Sequence, residues 1–327
     1  MIRSTTAPNY PDRVIVAHRW VLLLRTVLER DGMKGRTRIQ RGAGLLAFVI
    51  CLLLMPVGHA LMVLNEHVVH GGKFIGAVVL GVLGMGLLIL GAVGRSKAAV
   101  ATLLGLLGGI LVWTGWVEFS FVWVAEKLSV APHMQNGEVA TKPEYLVMLS
   151  SLGLLGSILL MLVLGPTRCQ FFVWFQRRLG MRSVLKRAAS QPPTRPIAVT
   201  AFMETVVIIW TFYIVLLLAY DPDIAGDHHP VTYFIAFGSL AWSAYLFAKL
   251  LRIKSFDQAI RYAIPTVVIF WNFVEIAGRW NLFTEIWVHP VDHWLENTAI
   301  LGILAVAVAL YVLDGRRDRK SQTLVPV

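Results

Sequence analysis

A glutamate and two histidines near the end of the chain have the residue types of a metal-binding site. Glu275 lies inside an apolar run, and His289 and His293 follow it on a short connection. Imidazole and carboxylate groups together suit iron, copper or zinc. An ionisable side chain inside a membrane span is expected to face the interior of the protein or a cavity. The three residues are therefore candidates for a shared site, and an ion pair with Arg279, one helical turn on, is the alternative for Glu275.

A second group of candidate ligands begins at His59. Glu66 follows it after seven positions, and His70 follows Glu66 after four. In a helix that continues through Val69, these three side chains lie within about 20° of one face. The pattern predicts a stripe of metal ligands that faces the same site.

Glu118 completes the candidate site. It lies in another apolar run, and neither Thr114 nor Val122, one turn away on each side, offers it a charge. We expect Glu118 and Glu275 to bridge metals or to move protons, so they are the candidate catalytic residues. Since bonds to a first-row metal are ~2.0–2.2 Å long, at least three of the seven residues are expected to meet within roughly 4 Å.

The elements that must position these residues are membrane-spanning helices. The chain has 327 residues, of which 57% are hydrophobic and only 15% charged, whereas soluble domains have about 25% charged residues. Apolar runs long enough to cross a bilayer, which needs ~20 residues, recur at 43–64, 73–94, 98–126, 145–165, 197–219, 231–251, 260–283 and 295–313. Backbone groups in lipid must be satisfied within each span, which favours helices. The predicted fold is all-α, a polytopic integral membrane bundle with eight transmembrane helices.

Charged residues orient this bundle. Of the 30 Lys and Arg residues, all but Lys73, Lys127, Lys142 and Arg279 fall on the side that eight alternating spans assign to both termini. Lys and Arg accumulate on the cytoplasmic side, so both termini are expected to be cytoplasmic. Seven of the nine histidines show the opposite bias and fall on the outer side: His67, His70, His133, His228, His229, His289 and His293.

The domain organisation follows from these spans. Residues 1–42 form a basic, amphipathic cytoplasmic segment, residues 43–313 form the eight-helix membrane domain, and residues 314–327 form a basic cytoplasmic tail. The strings WVEF around Glu118 and FVEI around Glu275 each occupy the third span of a four-span half. The membrane domain is therefore a candidate for a 4 + 4 repeat of residues 43–165 and 197–313, as in some transporters.

These observations predict an inner-membrane metalloprotein whose His and carboxylate site lies on the periplasmic side. An oxidoreductase that acts on an apolar or quinone-like substrate is one hypothesis. A cation- or proton-coupled transporter, or a non-catalytic subunit that docks a periplasmic or membrane partner, is the alternative. The expected cofactor is a transition metal, Fe, Cu or Zn, with haem as a further candidate. The lipid bilayer accounts for the net charge of +11 without a nucleic-acid partner.

Overall fold

Long apolar helices dominate the computed structural model, which describes residues 42–66, 72–94, 96–135, 138–167, 169–190 and 195–322. Within these residues, seven helices are long and apolar enough to cross a membrane, and a bent helix pair brings the count to as many as eight. The chain is therefore a multi-pass membrane protein, and the eight predicted spans match these elements closely. The predicted amphipathic segment within residues 1–42 lies almost wholly outside the described residues.

The first three spans are the helices α1 to α4. α1 covers Gly42–Glu66 and α2 covers Lys73–Val93. α3 (Ala98–Val112) continues through a π-helical segment (Trp113–Glu118) into α4 (Phe119–Lys127). Together they form one span of 30 residues.

The fourth span is broken. α5 (Pro143–Leu149) and α6 (Leu152–Leu164) meet at a bend of 47°. A small antiparallel hairpin, β1 (His133–Gln135) and β2 (Glu138–Thr141), precedes them, and it adds two strands that the all-α prediction did not include. Two short helices, α7 (Gln170–Arg178) and α8 (Arg182–Ser190), follow.

The second half of the chain contains four long helices. α9 covers Ile197–Tyr220, α10 covers Pro230–Leu250, α11 covers Phe256–Arg279 and α12 covers Trp294–Gln322. A series of turns occupies residues 286–293. The last span therefore starts at Trp294, close to the predicted start at residue 295, and its helix continues beyond the predicted end at residue 313.

The α3–α4 span, α9 and α11 form the centre of the bundle, because they are its most buried spans. Gly105 lets α3 approach α9, since an added Cβ would lie 2.2 Å from the carbonyl oxygen of Ala198. α2, α10 and α12 lie outside this centre and expose large apolar side chains such as Ile75, Phe234 and Val306. A helix that is apolar all round belongs in a membrane, so this surface is the one that lipid covers.

The two ends of the bundle differ in the charged residues of their connections. The histidine-rich end is formed by residues 128–135, 138–142, 221–229 and 280–293. The arginine-rich end is the opposite end, with residues 94, 96–97, 165–167, 169–190, 195–196 and 251–255.

Candidate functional site

A cavity of about 320 Å³ opens between α1, α3, α9 and α11 in the half of the bundle nearer the histidine-rich end. Its walls are mostly apolar and aromatic, with Trp113, Phe212 and Trp271 among the lining residues. Lys142 and Val288 line the cavity and are exposed, so the cavity reaches the surface there. Its volume and lining are typical of small-molecule sites.

The π-helical segment positions Glu118 in this cavity. Gly115 lies directly against α2, since an added Cβ would be 2.6 Å from the carbonyl oxygen of Ala77. π-Helical turns often occur at functional sites. Glu118 is only 6% exposed, and its Oε1 accepts a hydrogen bond of 3.0 Å from the Tyr213 hydroxyl on α9.

His59 and Glu275 form a contact across the cavity between α1 and α11. His59 Nε2 lies 3.2 Å from Glu275 Oε1, and the indole N–H of Trp271 donates to the same oxygen at 2.6 Å. His59 Nδ1 lies 3.1 Å from the Met55 carbonyl oxygen, which accepts only, so Nδ1 carries a proton. The contact at Nε2 then requires one further proton, held by the imidazole or by the carboxyl group. The contact places an imidazole nitrogen and a carboxyl oxygen side by side on the cavity wall.

Three buried donors in the cavity wall have no hydrogen-bond partner among the described residues. They are the Tyr220 hydroxyl, Asn272 Nδ2 and Trp287 Nε1. Buried polar groups are nearly always hydrogen-bonded, and leaving one without a partner costs about 1–3 kcal/mol. Acceptor atoms of water or of a bound molecule would satisfy these donors.

Arg279 closes the outer rim of the cavity and does not pair with Glu275. Its Nε and Nη2 donate to both carboxylate oxygens of Asp227, at 2.8 and 3.0 Å, and its guanidinium lies 4.2 Å from the Tyr220 ring. The alternative interpretation of Glu275 as an intrahelical ion pair with Arg279 is therefore wrong. The Glu275 carboxyl group contacts His59 instead.

Glu285 lies on the 280–293 connection and also lines the cavity. Its carboxyl group packs against Gly278, where an added Cβ would be 1.7 Å from Oε1. Burial raises the pKa of Glu285, and the Glu275 carboxylate raises it further, whereas His59 and Arg279 lower it.

The structure brings three of the seven predicted site residues together at one cavity: His59, Glu118 and Glu275. Glu66 is the exposed last residue of α1, and His70 lies outside the described residues. His289 is exposed, and His293 lies 3.7 Å from Glu296 at the start of α12. Neither of these two histidines lines the cavity.

The predicted meeting of three metal ligands is not found within the described part of the chain. The only group of three or more His, Cys, Asp or Glu with ligand atoms within 4.8 Å of one another there is His133, Asp221 and Asp223. None of the predicted ligands belongs to it. His133 Nδ1 and Asp223 Oδ2 are 4.0 Å apart, the Asp223 side chain is 83% exposed, and Asp221 Oδ1 already accepts from the Asp223 backbone N–H.

Glu204 belongs to a different network, nearer the arginine-rich end. Arg261 on α11 donates from Nε to Oε2 at 2.8 Å and from Nη2 to Oε1 at 2.5 Å. Their side chains are only 3% and 13% exposed. Glu204 and Arg261 thus form an ion pair between α9 and α11.

Sequence reasoning missed the neutral polar residues of the cavity. Tyr213, Asn272 and Trp287 are uncharged, and nothing in the apolar pattern separates them from packing residues. The one available signal was Asn272, an amide three residues before Glu275 in the same apolar run.

Comparison with known proteins gives no relative from which a role could be transferred. No protein-family model matches the chain, and neither the curated proteins nor the solved structures contain a significant match.

Proposed function

We propose that this chain binds a small, largely apolar molecule with hydrogen-bond acceptor oxygens in the cavity, and exchanges a proton with it through His59 and Glu275. The observation that carries the proposal is a set of three donors without a partner among the described residues, on Tyr220, Asn272 and Trp287, in the wall of the cavity that His59 and Glu275 also line. Acceptor oxygens on a ligand would satisfy these donors.

A quinone-like ring is the ligand class that the wall chemistry favours. Trp113, Phe212 and Trp271 offer aromatic faces to a planar ring. Carbonyl oxygens accept hydrogen bonds without donating, which complements the N–H and O–H groups around them. Tyr213 and Glu118 form a second hydrogen-bonded pair on the same cavity, 3.0 Å apart. The chain's own residues supply ring packing, orientation and one exchangeable proton.

A site reached from one end of the bundle is favoured over a transport path. Below the cavity, Ile208 of α9 and Ile264 and Val267 of α11 are almost fully buried. Beyond them both oxygens of Glu204 are bound by Arg261. In this conformation apolar packing and an ion pair separate the cavity from the arginine-rich end, which supports a site reached from the histidine-rich end.

The distribution of charge supports an orientation. We infer that the histidine-rich end faces the periplasm, that both termini are cytoplasmic and that the protein resides in the inner membrane, since Lys and Arg accumulate on the cytoplasmic side. Reporter fusions after Tyr220 and Asn281 should report the outer compartment, and fusions after Gly94 and Arg252 the cytoplasm. A cytoplasmic signal after Tyr220 would reverse this orientation.

A metal centre is the second candidate, because one contact favours it. The 3.2 Å between His59 Nε2 and Glu275 Oε1 suits two ligands of one ion, given metal–ligand bonds of ~2.0–2.2 Å. Elemental analysis of the purified protein separates the two proposals. Stoichiometric iron, copper or zinc that is lost in the His59→Ala variant would establish the metal centre and displace direct proton exchange with the ligand.

The binding proposal is tested by tryptophan fluorescence of the purified protein, titrated with a short-chain benzoquinone. Trp113, Trp271 and Trp287 line the cavity, so a bound quinone ring should quench part of the emission in a saturable way. His59→Ala should weaken binding about tenfold, the equivalent of one buried hydrogen bond.

His293→Ala is the matched control, because His293 lies on the outer connection and does not line the cavity. It should bind like the wild type. Equal affinities of the His59→Ala and His293→Ala variants, or quenching that never saturates, would contradict the proposal.

A further inference from the structure

A second concave site lies at the arginine-rich end, away from the cavity described above. It is a groove of about 230 Å³ bounded by α7, α10 and α11. Phe171, Trp174, Trp242 and Leu246 contribute apolar surface to it, and the exposed Arg177 and Lys249 lie at its rim. The groove thus combines an apolar wall with two positive charges.

Trp242 is the polar member of the aromatic wall of the groove. Its ring stacks on Phe171, with centroids 6.1 Å apart, and packs against Trp174 at 5.6 Å. Its Nε1 is buried and has no hydrogen-bond partner among the described residues, and a rotation of the indole toward the groove would let an acceptor atom there satisfy it.

We propose that this groove binds one anionic phospholipid. The phosphate would be attracted by Arg177 and Lys249, an ester or phosphate oxygen would accept from Trp242 Nε1, and an acyl chain would cover the apolar wall. Trp residues and basic side chains at the ends of spans are typical of the headgroup region. The groove lies near the last turn of α10, which ends at Leu250, so it is at the depth where headgroups meet chains.

Charge decides between a lipid and the chain's own N-terminal segment as occupant. Residues 1–41 are strongly basic, with Arg25, Arg36 and Arg38 among many other cations. The same sign of charge at the rim, on Arg177 and Lys249, disfavours that segment. A phosphate group carries the complementary charge.

Native mass spectrometry of the full-length protein, offered phosphatidylglycerol and phosphatidylcholine in competition, tests the proposal. We expect retention of phosphatidylglycerol in preference to phosphatidylcholine. The double variant Arg177→Gln/Lys249→Gln should bind phosphatidylglycerol about 25-fold more weakly, at about fivefold for each cation. Trp242→Phe, which keeps a ring and removes the N–H, should weaken both lipids by a smaller factor.

The matched control is Arg182→Gln/Lys186→Gln on α8. It removes the same charge from two exposed residues that do not line the groove, and phosphatidylglycerol binding should stay at the wild-type level. Equal losses in the two double variants would show a diffuse surface charge effect and overturn the site. So would equal retention of both lipids, or displacement of phosphatidylglycerol by millimolar inorganic phosphate.

Discussion

Buried carboxyl groups have different partners in the two halves of the bundle. In the arginine-rich half, both oxygens of Glu204 are bound by the Arg261 guanidinium, and apolar side chains surround the pair. In the histidine-rich half, Glu118 accepts from one neutral hydroxyl and Glu275 contacts His59, and both border a cavity. In the first arrangement a guanidinium neutralises the carboxylate, whereas in the second the carboxyl groups border open space. A buried acid is therefore a candidate functional residue when its carboxyl group borders a cavity and is not fully bound by a cation.

The largest loss of stability is expected from a substitution in the arginine-rich half. Arg261→Met leaves Glu204 buried and without its guanidinium, and removal of one partner of a buried ion pair costs about 3–5 kcal/mol of unfolding free energy. The double variant Glu204→Leu/Arg261→Met removes both charges and should recover most of that loss. Unfolding of the purified protein in mixed micelles by increasing dodecyl sulfate measures both. A loss below about 1 kcal/mol in Arg261→Met, the range of exposed pairs, would show that the pair is solvated.

Substitutions at two glycines compare the rigidity of the α3–α9 interface with that of the connection that carries Glu285. Gly105→Ala places a Cβ 2.2 Å from the backbone oxygen of Ala198, so α3 and α9 must separate, at a cost of about 1–3 kcal/mol. The three atoms nearest to a Cβ in Gly278→Ala all belong to the flexible Glu285 side chain, which can rotate away. The same unfolding assay should rank Gly105→Ala as clearly more destabilising. Equal losses would mean that the Glu285 connection is as rigid as the helix interface.

A smaller, pH-dependent effect is expected at the mouth of the cavity. Burial raises the pKa of Glu285, so its neutral form is favoured in the folded state. This contribution to stability is fully present below the ordinary value of 4.5 and is lost as the pH rises through the raised pKa of the folded protein. The Glu285→Gln variant stays neutral and should lack this part of the pH dependence of the melting temperature. If the melting temperatures of wild type and variant changed equally with pH, this placement of Glu285 would be wrong. It would also be wrong if the wild type gained stability relative to the variant as the pH rises.

The spans were predictable from the sequence because a long apolar run has few alternatives to a membrane helix. The break between α5 and α6, the β1–β2 hairpin and the π-helical segment were not predictable. The π-helical segment, for example, packs with Gly115 against the Ala77 carbonyl of α2, a tertiary contact that no periodicity records.

Part of the site was predictable for a related reason. His59, Glu118 and Glu275 are ionisable residues in apolar runs, and such residues tend to face cavities. His289 and His293 follow Glu275 closely in sequence, but the chain turns at Asn281, whose φ is 57°. It then returns Glu285 and Trp287 to the cavity, and the histidines lie outside it. Nearness in sequence could not specify which residues of that turn point inward.

The difference between the halves is tested most directly by the reactivity of two introduced cysteines. Thr114 and Thr205 are equally buried, at 3% and 1% exposure, but only Thr114 lines the cavity. In a background with Cys51 and Cys169 replaced by alanine, the Thr114→Cys and Thr205→Cys variants are treated with a small, water-soluble methanethiosulfonate. Because thiolates react where water and reagent reach them, we expect Thr114→Cys to react at least about tenfold faster and a bound quinone to protect it. Equal rates at both positions, or faster reaction of Thr205→Cys, would contradict an open histidine-rich half above a closed arginine-rich half.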